Sequence, residues 1–352
     1  MMSRADKKVL IAGAGGMVGS SVKRELIKRN YKHLLTPSSA DLDLIKQEQV
    51  NAFFNANKPE IVIVAAAKVG GILANNTYRA DFIYRNLMIQ ANIVHAAFEN
   101  GVDKLVLLGS PCIYPRDAAQ PMREEELLSG YLEPTNEPYA IAKIAGIKLC
   151  ESYYRQHGCN FFSLMPTNLY GPNDNFDLES SHVIPALIRK FHEAGTMGRT
   201  PVQIWGSGRP RREFMYVDDL ADAIAYSIEN IDASDIYDLG ISHLNIGTGS
   251  DIEIAELAGL IKDVTGYKGE FDLDPSKPDG PARKLLDVTR MNTFGWSYRI
   301  RLREGLQLTY DWYLENSATT GKVAGNRSGF VNPNSQRKGR YCSAFVLCSP
   351  GP

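Results

Sequence analysis

The amino-acid sequence predicts an α/β fold, a doubly wound parallel sheet covered by helices on both faces. Three observations carry that expectation. Short, almost continuously apolar runs recur at Lys8–Ala12, 60–67, 104–110 and 161–167, as strands buried on both faces require. Long stretches with helical spacing separate them, at 17–29, Arg79–Glu99 and 139–156. The first strand runs straight into Gly13-Ala-Gly-Gly-Met-Val-Gly19, a turn that opens a helix.

Taken in order, Lys8-Val-Leu-Ile-Ala12 is the first strand, and Val18, Val22 and Leu26 share one face of the helix after it. A second strand ends near Leu35-Thr-Pro-Ser-Ser39. Glu60-Ile-Val-Ile-Val-Ala-Ala-Ala67, Lys104-Leu-Val-Leu-Leu-Gly-Ser110 and Phe161-Phe-Ser-Leu-Met-Pro-Thr167 complete the series. Asn136 is placed to cap the 139–156 helix, and Pro138 suits its first turn. After Gly171-Pro172 the pattern turns irregular: a helix at 182–193, strands at Val202–Trp205 and Leu244–Ile246, and a helix at 252–265. Residues 1–172, with roughly 214–249 returning to them, are read as a dinucleotide-binding domain. Roughly 173–213 and 250–316 are read as a smaller C-terminal substrate domain.

The 352 residues carry 44% hydrophobic side chains and a net charge of -1. That balance gives no reason to expect a polyanionic partner, so nucleic acid is disfavoured. No apolar run is long enough to span a membrane. The charged start lacks the apolar core of a signal peptide, which makes the cytoplasm the expected address. Five cysteines without paired or metal-like spacing read as free thiols, and no metal site is expected. From Asn316 onward the chain holds Lys322, Arg327, Arg337, Lys338 and Arg340 and no acidic residue. Residues 317–352, rich in Gly, Ser, Asn and Pro, are read as a disordered tail.

Gly13, Gly16 and Gly19 have the spacing of a dinucleotide turn, in which glycine lets a pyrophosphate approach backbone N–H groups and lets helix pack on strand. The second strand ends without a carboxylate until Asp41. Ser38 and Ser39 could donate to a 2′-phosphate without repelling it, which leans toward NADP(H) and leaves NAD(H) open. Tyr139-Ala-Ile-Ala-Lys143 puts Tyr and Lys on one helix face, where an ammonium can stabilise a phenolate and ease proton transfer. Ser110 ends the fourth strand, at the sheet edge where such folds bind ligands.

Further motifs run in order along the chain: Ala65-Ala-Ala-Lys-Val-Gly-Gly-Ile72, Cys112-Ile-Tyr-Pro115, Glu133-Pro-Thr-Asn-Glu-Pro-Tyr139, Pro166-Thr-Asn-Leu-Tyr-Gly-Pro172, Ser181-His-Val-Ile-Pro185, Trp205-Gly-Ser-Gly208 and Lys277-Pro-Asp-Gly280. With these the sequence resembles the extended short-chain dehydrogenase/reductases and, within them, the GDP-L-fucose synthase family, from about residue 7 to about residue 315. The resemblance implies a Rossmann-like fold, a homodimer built on the long helices, and a two-step conversion of GDP-4-keto-6-deoxy-D-mannose to GDP-L-fucose. C3 and C5 are epimerised, and the C4 ketone is then reduced with NADPH. It implies that Ser110, Tyr139 and Lys143 form the reductase triad, with Cys112 and His182 as the epimerisation acid/base pair. Cofactor contacts would come from Gly13, Gly16, Met17, Val18, Gly19, Ser38, Ser39, Leu108, Lys143, Pro166, Asn168, Leu169 and His182. The GDP-sugar would meet Lys190, Trp205, Arg212 and Asp279.

The sequence departs from that family in three places. Ala14-Gly15 stands where His-Arg is frequent, Ser39 stands near another frequent Arg, and Pro111 lies between Ser110 and Cys112. Pro111 removes one N–H and holds Ser110 extended. The rival readings are a sugar-nucleotide 4-epimerase, a 4,6-dehydratase, or a nucleotide-binding module without catalysis. A dehydratase would want a carboxylate just behind Ser110, where Pro111-Cys-Ile-Tyr114 has none.

Overall fold

The computed structural model describes residues 4–178, 181–198, 201–277 and 279–320. In chain order the first part is built from β1 (Lys8–Ala12), α1 (Met17–Lys28), β2 (His33–Leu35), α2 (Gln47–Asn57), β3 (Ile61–Val64), α3 (Ile72–Thr77), α4 (Arg79–Glu99), β4 (Lys104–Leu108), α5 (Glu137–His157) and β5 (Phe161–Pro166). Then come β6 (Asn168–Tyr170), α6 (Val183–Met197), β7 (Val202–Trp205), β8 (Arg211–Tyr216), α7 (Val217–Asn230), α8 (Ala233–Tyr237) and β9 (Leu244–Ile246). The chain continues through β10 (Asp251–Glu253), α9 (Ile254–Thr265), β11 (Phe271–Asp274), β12 (Arg283–Lys284), α10 (Thr289–Thr293) and α11 (Leu302–Thr320).

Six strands form one parallel sheet in the order β2-β1-β3-β4-β5-β9. The expected doubly wound, Rossmann-like fold is present. Alternation along each strand sends Val9 and Ile11 to one face and Leu10 and Ala12 to the other. The first face packs against Val22 and Leu26 of α1 and Leu220 and Ile224 of α7. The second packs against Ile93 and Val94 of α4 and Cys150 of α5. Each such fully buried aliphatic side chain stabilises the fold by roughly 1.5–3 kcal/mol, so the sheet carries most of the core.

A second layer lies beyond the carboxyl ends of these strands. There β8 pairs with β6, β10 and β12, and β7 pairs with β11. Its own core joins Ile184 and Phe191 of α6, Leu257 and Ile261 of α9, and Leu306 of α11.

Two boundaries differ from expectation for physical reasons. The strand expected to reach residue 67 stops at Val64, because the following alanines cross over the glycine turn. A Cβ on Gly13 would lie 2.7 Å from the Ala66 nitrogen. The last helix reaches Thr320, inside the segment read as a tail from 317, and its apolar face buries Leu306 and Tyr313. Residues 321–352, where the rest of that expectation falls, lie outside the described residues. No helix among the described residues is long and apolar enough to cross a membrane.

Candidate active site

β1 pairs with β2 on one side and β3 on the other, so the chain's winding reverses at β1. Ligands of open α/β sheets bind outside the carboxyl ends at such a reversal. The glycine turn fills that crevice. Gly13 has φ +90°, and a Cβ on Gly19 would lie 2.1 Å from the Gly13 carbonyl oxygen, so both positions demand glycine. Gly15 faces open space, with nothing within 4 Å of a Cβ built there. Gly16 is the N-cap of α1 and caps it with no side chain, which leaves the N–H groups of Met17 and Val18 at a bare helix start. A dinucleotide pyrophosphate fits this cradle of free N–H groups and positive helix dipole.

Beside it, β4 and α5 bring four of the expected catalytic residues together. Ser110 is extended, at φ −160° and ψ 146°, and leads into a short helical turn, Pro111–Ile113, that holds Cys112. The Ser110 hydroxyl lies close enough to the Cys112 thiol and the Tyr139 hydroxyl to favour the ionised form of each. Lys143 is buried, donates its Nζ to the Leu108 carbonyl at 2.8 Å, and lies 5.8 Å from the centre of the Tyr139 ring. Burial pulls its ammonium down to about 8. The expected lowering of the phenol is not found: burial raises the Tyr139 pKa, and the neighbouring Cys112 adds to the rise. Tyr139 is therefore held protonated. Asn136 occupies the α5 N-cap as expected, but its side chain makes no cap bond and its buried Oδ1 has no partner.

Cys112 is 5% exposed, and burial pushes its thiol up. The nearby Ser110 hydroxyl and the charges of Lys284 and Lys143 oppose that rise. His182 stands at the N-cap of α6, on the surface yet with enough protein around it that its pKa is lowered. Pro166 closes β5 within the core, while Asn168 and Leu169 lie on β6, where Asn168 donates to the Glu213 carbonyl at 2.8 Å. At the end of β2 the Ser38 hydroxyl is already engaged. It donates to Asp41 at 2.6 Å, so it is not the free phosphate donor expected, while Ser39 is exposed.

The far wall comes from the second layer. Trp205 is 66% exposed at the end of β7, with Lys190 and Lys277 ammoniums 5.8 and 5.6 Å from its ring centre. Lys190 donates to the Gln203 carbonyl at 2.9 Å. Asp279 accepts from the Ser207 backbone N at 2.9 Å and its hydroxyl at 2.7 Å. Arg212 on β8 is close enough to Asp279 to feel its charge. The wall thus combines an exposed aromatic face with cations, which suits a base and a diphosphate.

The profile of the NAD dependent epimerase/dehydratase family matches residues 9–247. The chain is 55% identical to the GDP-L-fucose synthase of Escherichia coli K12 over 314 residues, covering 88% of this chain and 97% of that one. It is 52% identical over 315 residues to GDP-L-fucose synthase 1 of Arabidopsis thaliana, covering 90% and 95%. The chain belongs to the GDP-L-fucose synthase family. A solved GDP-L-fucose synthetase from Naegleria fowleri bound to NADP superposes with a TM-score of 0.81 at 27% identity, covering 92% of this chain and 98% of that one.

Within this GDP-L-fucose synthase framework, three features escaped the sequence reading. Lys284, on two-residue β12, is half-buried, and it and the Cys112 and Arg212 side chains are close enough to feel one another's charge. So short a strand has no periodicity to betray it. Glu213, fully buried, accepts backbone N–H groups from Thr248 (2.6 Å), Gly249 (2.8 Å) and Leu286 (2.9 Å), which fastens the segment carrying Lys284 to β8. Asp174, in the loop leading from β6 towards His182, has a buried Oδ2 without a partner, and burial raises its carboxyl to about 7. No local pattern announces any of the three, because each depends on residues far away in sequence.

Proposed function

We propose that this chain converts GDP-4-keto-6-deoxy-D-mannose to GDP-L-fucose, epimerising C3 and C5 and then reducing the C4 ketone with NADPH. The observation that carries the reading is the joining of a thiol, Cys112, to the Ser110, Tyr139 and Lys143 cluster beside a dinucleotide turn. A simple reductase has no use for that thiol, whereas protons flanking a ketone need a base and an acid to invert each carbon. The relatives named above carry the same activity in their names.

Gly13, Gly16, Gly19, Met17 and Val18 would hold the pyrophosphate, and Lys143 the ribose beside the nicotinamide. Bound NADPH supplies the hydride for C4. Ser110 orients the C4 oxygen, and Tyr139, kept protonated by burial, gives it a proton. Cys112 and His182, on different elements, exchange the C3 and C5 protons. Lys190, Trp205, Arg212 and Asp279 hold the GDP moiety, in a substrate domain formed by residues 173–213 and 250–316.

The chain also acts as a homodimer in the cytoplasm, in this reading. α4 and α5 lie side by side and expose Tyr84 (58%) and Ile141 (42%), apolar surface suited to a two-fold contact. The thiols of Cys112, Cys150 and Cys159 are free, as a reducing compartment keeps them. Incubation with GDP-4-keto-6-deoxy-mannose and NADPH tests the activity, by cofactor absorbance and by identifying the product. GDP-L-fucose is expected. Cofactor oxidation with a product unchanged at C3 and C5 would make the chain a reductase alone. Light scattering giving a monomer mass at micromolar concentration would overturn the dimer.

A further inference from the structure

β2 lies next to β1 at the sheet edge, so the residues after Leu35 stand beside the glycine turn, where the adenosine ribose of a dinucleotide ends. That corner decides between a 2′-hydroxyl and a 2′-phosphate. An acidic group accepts from the hydroxyl, and an arginine receives the phosphate. Here the loop runs Thr36-Pro-Ser-Ser-Ala-Asp41, with Ser38, Ser39 and Asp41 exposed. The Asp41 carboxylate is fixed in place, accepting from the Ser38 backbone N at 3.0 Å and its hydroxyl at 2.6 Å. These bonds hold it below the usual carboxylate range, so it is charged at neutral pH.

Among the described residues no cation acts on the carboxylate of this corner: no Lys or Arg forms an ion pair with Asp41, and Lys46, five residues on, lies 3.9 Å from Asp43. Gly15 contributes no side chain to the open space over the turn. A 2′-phosphate brings about −1.5 to −2 charges at pH 7. It would find one hydroxyl already engaged and one carboxylate of its own sign that no described cation offsets. A 2′-hydroxyl would find acceptors.

We propose that the ribose corner of this chain, formed by Ser38, Ser39 and Asp41, does not select for the 2′-phosphate, so NADH binds at least as tightly as NADPH and serves the same reduction. NADPH remains a cofactor; preference for it is what the corner lacks. The inference rests on the reading of the crevice as a dinucleotide site.

The test is calorimetric titration of the full chain with NADH and with NADPH, without sugar nucleotide, at low and high salt. The dissociation constant for NADPH is expected to equal or exceed that for NADH, and salt should narrow the gap by screening Asp41. Asp41→Asn should tighten NADPH several-fold. Ser39→Arg should tighten it by about ten- to a hundredfold through a charge-assisted bond, and neither variant should bind NADH more tightly than the wild type. Wild-type binding of NADPH tenfold tighter than NADH would overturn this proposal and leave the dinucleotide site standing. Binding of neither would overturn both.

Discussion

Asp174→Asn is expected to stabilise the protein strongly at pH 8 and much less at pH 5. In the folded chain burial raises the carboxyl from its ordinary 3.8 to about 7. Its Oδ1 accepts the Asn175 N–H at 2.7 Å, while Oδ2 has no partner. A group with a raised folded pKa binds its proton more tightly when folded. Its favourable contribution is complete below pH 3.8 and is lost as pH climbs to about 7. At about 1.36 kcal/mol per pH unit, the stability lost relative to acid is about 4 kcal/mol at pH 8, where the folded carboxyl is ionised, and about 1.6 kcal/mol at pH 5, where only the unfolded one is. An amide keeps the acceptor for Asn175 and carries no charge. The variant should therefore gain about 3 kcal/mol on wild type between pH 5 and pH 8. Urea unfolding followed by circular dichroism at both pH values, without nucleotide, measures this. A stability difference that stays constant from pH 5 to pH 8 would show that the carboxyl is not held protonated by its surroundings.

Tyr139→Phe should lower the rate of ketone reduction by about 10²–10⁴-fold, the usual loss for a positioned acid. Cofactor affinity should persist, because the Lys143 bond to the Leu108 carbonyl does not use the hydroxyl; stopped-flow turnover and titration separate the two. Cys112→Ser, which hardly changes volume, should suppress deuterium uptake at C3 and C5 in D₂O, and His182→Gln should do the same. Mass spectrometry showing wild-type uptake in Cys112→Ser would exclude the thiol. Gly19→Ala should abolish dinucleotide binding and cost about 1–3 kcal/mol of stability, since its Cβ would lie 2.6 Å from the Gly13 carbonyl carbon. Titration calorimetry finding unchanged affinity would show that helix and turn can part without loss.

The sheet and its long helices were legible because burial on two faces leaves an unmistakable mark: β1 and α4 fall where the apolar pattern puts them, and β4 and β5 begin there. The shorter pieces were not. β6, β10 and β12 have three, three and two residues, too few for any period, and exist because β8 offers them partners. At the site, the residues with neighbours close in sequence could be read, such as Tyr139 and Lys143 on one helix face. Their electrostatics could not. The rise of the Tyr139 phenol comes from burial, and the field on Cys112 includes Lys284, 172 positions later. The Ser38 hydroxyl looked free because its partner, Asp41, meets it only when the loop turns back.

The anchoring of β8 by Glu213 has a consequence for synthesis at the ribosome. Domains form from the N-terminus as the chain emerges at about 5–20 residues per second, so the glycine turn and the Tyr139 helix are made early. The backbone groups that engage Glu213 arrive only with Thr248, Gly249 and Leu286, and Lys284 arrives with the last of them. A nascent chain can therefore shape its glycine-turn crevice several seconds before its second layer is complete. Until then β8 carries a carboxylate whose backbone partners have not yet been made.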